Sequence, residues 1–237
     1  MNKVELYNGD CYDILPQLID KGIKVDLILT DPPYIVSPSF SEGTNSMHNQ
    51  LVNIFSNIKD FANGFDYETL FGLFIKLAKK FIIFCSNQQL GMFISYFESN
   101  DYKVTTTVWK KTNAIRNGNN FFYSDVEYCL FVAHKNGVGY KYKPLPELYK
   151  TRVKEIPFIA GSQRVHPTEK PIKLIDAYLI PFTEEGDTVL DCFMGSGTTG
   201  VSAVRHNRNF IGIEKEQKYY NIAKQRISAE NNQTKLF

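Results

Sequence analysis

Two short runs of this chain, residues 25–30 and 81–85, are mostly apolar, with Leu27, Ile28 and Leu29 in the first and all five residues of the second apolar at successive positions rather than alternate ones. Each is too short for a stable helix and rich in residues that suit a pleated backbone. A strand with apolar side chains on both faces must be covered on both faces, which puts it inside a sheet flanked by helices. The first run ends at Asp31-Pro32-Pro33-Tyr34, two prolines that cannot continue a ladder of hydrogen bonds. Further strands are expected at 4–7, 104–109, 126–133, 188–192 and 210–214. Helical spacing marks 12–20, 67–80, 88–98, 171–180 (with proline in its first turn), 198–206 and 218–230. Strands alternating with helices predict an α/β, doubly wound, mostly parallel sheet.

The 237 residues suit one domain, 1–237. Two stretches interrupt the alternation. Residues 35–66 are rich in Ser, Asn and Gly and read as a long mobile loop directly after the proline motif. Residues 136–165 are rich in Lys, Tyr, Pro and Gly and form an insert in the sheet. Loops of such length in a compact domain are usually functional.

Four cysteines, Cys11, Cys85, Cys129 and Cys192, are scattered without a C-x-x-C pair, so buried reduced thiols are expected. The histidines lack ligand spacing, so no catalytic metal is expected. The chain carries no apolar run long enough for a membrane span and no secretory signal, so the cytoplasm is the expected location.

The net charge of +2 conceals an asymmetry. Residues 101–173 hold 13 basic and 6 acidic side chains, while residues 1–100 hold 7 and 11. A basic middle third fits a polyanion-binding surface, although a solvated charged face has the same composition.

Between the strand at 188–192 and the next helix lies Asp191-Cys192-Phe193-Met194-Gly195-Ser196-Gly197-Thr198-Thr199-Gly200. Glycines here permit positive φ and close approach of a ligand to the backbone. Glu214, at the end of the following strand, is placed to accept hydrogen bonds from ribose hydroxyls. The turn alone fits a nicotinamide or flavin dinucleotide, and hence an oxidoreductase, as well as S-adenosyl-L-methionine. Two features favour the latter. The turn stands late in the chain, and Asp191 would hold an ammonium but repel a pyrophosphate.

Asp31-Pro32-Pro33-Tyr34 suits an amino nitrogen attached to an aromatic base. Such a nitrogen is a weak nucleophile because its lone pair is delocalised into the ring. Acceptors on its N–H groups, the Asp31 carboxylate and the Pro32 carbonyl, push it toward sp³ and free the lone pair. The prolines hold that carbonyl rigid, and Tyr34 offers a face for stacking.

With their order, these two motifs resemble the amino-methyltransferases of DNA, in the permuted β class where the catalytic motif precedes the cofactor turn. The resemblance covers residues 4–36 and 72–230. It implies a Rossmann-like methyltransferase fold, a seven-stranded sheet with an antiparallel edge hairpin, and a circularly permuted motif order. It implies transfer of a methyl group from S-adenosylmethionine to N6 of an adenine flipped out of the duplex. The Asp at position 31 favours adenine; cytosine N4 is the alternative target. Catalysis is assigned to Asp31, Pro32, Pro33 and Tyr34. Cofactor binding is assigned to Asp10, Cys11, Asp31, Lys170 (toward the methionine carboxylate), Asp191, Phe193, Gly195, Ser196, Gly197, Thr198, Thr199 and Glu214. The insert at 136–165 becomes a candidate target-recognition segment. Lys135, Lys141, Lys143, Lys150, Arg152, Lys154 and Arg164 are the candidate DNA-phosphate contacts. The implied partner is double-stranded DNA, with a homodimer and a cognate restriction endonuclease as further candidates.

Overall fold

In the computed structural model, residues 2–34, 66–114, 123–136, 144–160, 164–166 and 168–233 are described. The loop expected over 35–66 lies outside them except for Asp66, as do Lys141 and Lys143 of the basic insert. Eight strands form one sheet: β1 (Val4–Asn8), β2 (Leu27–Thr30), β3 (Lys80–Cys85), β4 (Tyr102–Lys110), β5 (Val126–His134), β6 (Val153–Glu155), β7 (Thr188–Asp191) and β8 (Asn209–Glu214). The helices are α1 (Cys11–Asp20), α2 (Tyr67–Leu77), α3 (Asn87–Ser99), the single turn α4 (Glu147–Lys150), α5 (Ile172–Leu179), α6 (Thr198–Arg205) and α7 (Gln217–Gln233).

The strand order is β1-β8-β7-β2-β3-β5-β4-β6. Strands β1, β8, β7, β2 and β3 run parallel, β5 runs antiparallel to both β3 and β4, and β6 pairs in parallel with β4. Among the described residues the sheet therefore has eight strands, not the seven expected. The extra one lies in the insert and pairs Val153 with Val108. Three residues carry no readable periodicity. Their conformation comes from the open edge of β4, whose unpaired N–H and C=O groups template a neighbour.

Side chains of the two central strands alternate strictly between two cores. Ile28, Phe81, Ile83 and Cys85 pack with α1, α2 and α3 on one face. Leu27, Leu29, Ile82 and Phe84 pack with α5, α6 and α7 on the other. Every one of these residues is fully or almost fully buried, which explains why β2 and β3 read as unbroken apolar runs. All four cysteines are buried and unpaired. No helix among the described residues is long and apolar enough to cross a membrane.

Chain direction locates the ligand end of the sheet. From β7 the chain moves through α6 to β8, and from β2 through α2 to β3, its neighbour on the other side. Adjacent strands whose connections leave in opposite directions open a crevice at their carboxyl ends, where α/β proteins bind ligands. Asp31-Pro32-Pro33-Tyr34 follows β2, and the glycine turn follows β7.

Candidate active site

The two motifs meet through their strand ends. Thr30 Oγ1, on the last residue of β2, donates to Asp191 Oδ1, on the last residue of β7, at 2.8 Å. The same oxygen accepts the Phe193 N–H at 3.1 Å. Asp191 is 4% exposed. Burial lifts its carboxyl to about 6, partly offset by hydrogen bonds from Thr199, Thr30 and the Phe193 amide.

The turn after β7 is built by glycine. Gly195 and Gly197 take φ of 51° and 82°, left-handed values that side chains avoid. Gly197 caps α6. A Cβ there would fall 2.8 Å from the Ala223 Cβ, so α7 closes the turn from behind. In front, the Gly195 N–H donates to Glu214 Oε2 at 2.9 Å, and Glu214 Oε1 accepts the Glu216 N–H at 2.8 Å. Burial holds the Glu214 carboxyl above the ordinary range. Asn8 at the end of β1 pairs with Glu214. Two residues on, Asp10 caps α1, accepting the Tyr12 N–H at 2.9 Å and an ion pair from Lys215 at 3.0 Å. Burial works against the Asp10 charge, but the Tyr12 amide and Lys215 override it and keep its carboxyl low. Cys11, Ser196, Thr198 and Thr199 are buried around this turn, and Phe193 is half-buried. Three carboxylates (Asp10, Asp191 and Glu214) thus stand at the ends of β1, β7 and β8.

Across the crevice, Asp31 enters a chain of alternating charges. Lys170 Nζ lies 2.6 Å from Asp31 Oδ2 and 3.0 Å from Glu127 Oε2; Lys111 Nζ lies 2.8 Å from Glu127 Oε1. The Tyr34 hydroxyl donates to Glu127 Oε2 at 3.1 Å. Burial opposes the Lys170 charge, yet Asp31 and Glu127 hold its ammonium well above the usual lysine range. Burial opposes the Glu127 charge too, but Lys170 and Lys111 pull that carboxyl down to about 2. Asp31 goes the other way: desolvation outweighs Lys170 and raises it. Its second oxygen, Oδ1, is buried and has no hydrogen-bond partner among the described residues. Behind the motif, the buried Gln89 Nε2 donates to the Pro33 carbonyl at 2.9 Å. A cleft of about 250 Å³ opens beside it, lined by Tyr34, Trp109, Lys111, Glu127, Phe158 and Arg164 among others.

Lys170, expected near the methionine carboxylate, pairs with Asp31 and Glu127 on the side of the proline motif. The basic residues also divide. Arg164 lines the cleft, and Lys150 and Arg152 are exposed near the outer edge at β6. Lys154 is 2% exposed and donates to the Leu148 carbonyl at 2.6 Å. Burial lowers its ammonium to about 8, so it faces no phosphate: it occupies the inward position of β6. Lys135 pairs with Asp101 at 3.2 Å just past the end of β5. Because β5 is antiparallel and nine residues long, that end lies roughly 25–30 Å from the crevice at about 3.4 Å per residue.

Sequence reasoning missed Glu127, Gln89 and Arg226. Glu127 had a signal: it is the single carboxylate in an otherwise apolar strand, VEYCLFVAH. Gln89 belongs to a capping box with Ser86, which masks its second role. Arg226 donates to the Ser196 carbonyl and hydroxyl at 2.9 and 2.8 Å and pairs with Glu169 at 2.8 Å; its position in α7 offered no clue.

Comparison with known proteins finds relatives along nearly the whole chain. A family model described as DNA methylase matches residues 25–225. The type II methyltransferase M2.DpnII of Streptococcus pneumoniae is 30% identical over 97% of this chain and 91% of its own length. M.HinfI of Haemophilus influenzae, also a type II methyltransferase, is 30% identical over 94% of this chain and 67% of its own. The crystal structure of an M1.HpyAVI–SAM complex superposes with a TM-score of 0.73 at 27% identity, covering 94% of this chain and 98% of the other.

Proposed function

The chain belongs to the N6/N4 DNA methylase family, and on that premise we propose that it transfers a methyl group to N6 of an adenine extruded from duplex DNA. It is an S-adenosylmethionine-dependent DNA methyltransferase. We place it in the β class, since its catalytic motif precedes its cofactor turn.

The donor set at the turn suits this cofactor. Carboxylates at Asp10, Asp191 and Glu214 match hydroxyls and a cationic amino acid moiety, and they repel a dinucleotide's pyrophosphate, which disfavours the oxidoreductase reading. When bound, S-adenosylmethionine supplies an electrophilic methyl group.

One observation carries the proposed mechanism: Asp31 Oδ1, a buried acceptor without a donor among the described residues, beside the strand end that bears the cofactor turn. A buried acceptor left unmatched costs on the order of 1–3 kcal/mol, and an amino N–H would match it. The Pro32 carbonyl takes the second N–H, and Tyr34 stacks on the base. Held this way, the nitrogen is pyramidalised and its lone pair directed at the cofactor side. Asp31 Oδ1 is also the atom placed to receive the proton that the nitrogen sheds. Reaching such a nitrogen requires the base to leave the stack.

The loop over 35–66 and the insert at 136–165, with Arg164, Lys150 and Arg152, supply the DNA side in this reading. The insert is short, so a homodimer would widen the DNA surface. Sedimentation as a monomer with full activity would argue against that. A cognate endonuclease is the expected counterpart of a type II enzyme, working with it in the cytoplasm.

Incubation with genomic DNA and S-adenosylmethionine, followed by nucleoside mass spectrometry, should yield N6-methyladenine. N4-methylcytosine alone would overturn the target. Asp31→Ala should abolish transfer while retaining cofactor binding; normal methylation by that variant would overturn the mechanism.

A further inference from the structure

Glu127 belongs to neither hallmark motif, yet it touches three groups of the site at once. Its Oε2 receives the Tyr34 hydroxyl at 3.1 Å and Lys170 Nζ at 3.0 Å, while Oε1 holds Lys111 at 2.8 Å. Its side chain is 19% exposed, in a strand where burial would favour an apolar residue. Carboxylates persist in such places only when paired. The pairing here is more specific than stability requires. Lys170 is pulled between two acids and meets Asp31 through Oδ2 alone, at 2.6 Å, leaving Oδ1 buried and without a hydrogen-bond partner among the described residues. The Tyr34 hydroxyl, tied to the same carboxylate, has its ring turned with it.

We propose that Glu127 is a positioning residue for methyl transfer: through Lys170 it selects which Asp31 oxygen is offered to the target amine, and through the Tyr34 hydroxyl it fixes the ring that stacks on the base. The inference rests on the adenine-N6 reading above.

The charges around Asp31 make the idea measurable. Asp31 faces Lys170 from the segment before α5, Glu127 and Cys129 from β5, Cys85 from β3, Asp191 from β7 and Tyr34 from its own segment. Lys170 favours the ionised carboxylate and Glu127 disfavours it. Asp31 must be ionised to accept both the N–H and the proton, so its titration sets the acid limb of kcat. In Glu127→Gln the repulsion disappears and Lys170 turns wholly to Asp31, so the acid limb moves to lower pH. At the same time kcat on the plateau falls on the order of tenfold to hundredfold, because the reacting groups lose their register. In Lys170→Gln the limb moves up by about one pH unit or more. The double variant lies below Lys170→Gln.

The test compares kcat against pH for wild type and the three variants, with S-adenosylmethionine affinity measured by calorimetry as a folding control. Affinity should be unchanged in Glu127→Gln. A lower plateau with an unmoved or raised acid limb in Glu127→Gln would show a merely structural role and overturn the proposal, as would wild-type kinetics. If Glu127→Gln does not fold, the Lys170→Gln and double variants decide: a double variant whose limb is not below that of Lys170→Gln overturns it. Wild-type enzyme that makes no N6-methyladenine would sink the parent reading instead, a separate result visible before any variant is made.

Discussion

Thr30 and Asp191, 161 residues apart in the chain, join the two functional motifs by one buried 2.8 Å hydrogen bond between adjacent parallel strand ends. The proline tetrapeptide starts one residue after Thr30, and the glycine turn starts one residue after Asp191. With the parallel pairing of β2 and β7, the bond holds Asp31 at a set separation from the glycine turn.

Thr30→Val keeps the β-branched shape and removes the donor. Asp191 then loses a buried partner, which should cost about 1–3 kcal/mol, read as a lowered urea midpoint with unchanged slope. Activity should fall with it, because the motifs are no longer tied. A midpoint and rate equal to wild type would mean the bond is incidental.

Asp191 also predicts a pH dependence. Burial raises its carboxyl from 3.8 to about 6 in the folded protein. Between those values the folded state keeps a proton that the unfolded chain releases. The contribution of Asp191 to stability thus declines as pH rises from about 4 to about 6, then levels off. His166 contributes with opposite sign: burial depresses it from 6.5 to about 4, so its contribution rises over a similar window. Asp191→Asn isolates the first effect by removing the decline. Since the ionised carboxylate is proposed to hold the cofactor's ammonium, S-adenosylmethionine should bind more tightly as pH rises through about 6. Calorimetry on wild type should show that rise and Asp191→Asn should not; a rise of equal size in the variant would reassign it to another group.

Arg226 ties the turn to the segment that carries Lys170. It holds Ser196 by two hydrogen bonds and Glu169 by an ion pair, and the Glu169 side chain is 5% exposed. Arg226→Ala removes the cation from that carboxylate, whose other oxygen keeps the Val165 N–H at 3.0 Å. Breaking a buried pair from one side costs about 3–5 kcal/mol, and the partial exposure of Arg226 (28%) puts the expected loss nearer about 2 kcal/mol. The loosened turn should raise KM for S-adenosylmethionine more than it lowers kcat. Arg226→Lys should recover little, because one ammonium cannot reproduce the planar fork. Thermal melting and initial rates check both parts, and a kcat loss with unchanged KM would contradict the link to the turn.

Local chemistry carried much of this molecule in plain view. Unbroken apolar runs made β2 and β3 legible as doubly buried strands, and prolines marked where β2 stops. Positive-φ glycines marked the turn after β7, and Glu214 followed at the expected strand end. These are short-range constraints, set by backbone sterics and side-chain periodicity, and they survive reading one residue at a time. Tertiary structure decided the rest. Lys170 meets Asp31 across 139 residues, and no local pattern says which acid a lysine will find. Glu127 becomes part of the site only because β5 inserts antiparallel between β3 and β4. The same reversal carries Lys135 to the far end of the sheet, while the inward side of β6 buries Lys154. Charge composition could mark the middle third as basic, but which of those charges face solvent, which face each other and which face the crevice depends on strand direction and pairing. Those are set by the burial of the whole sheet.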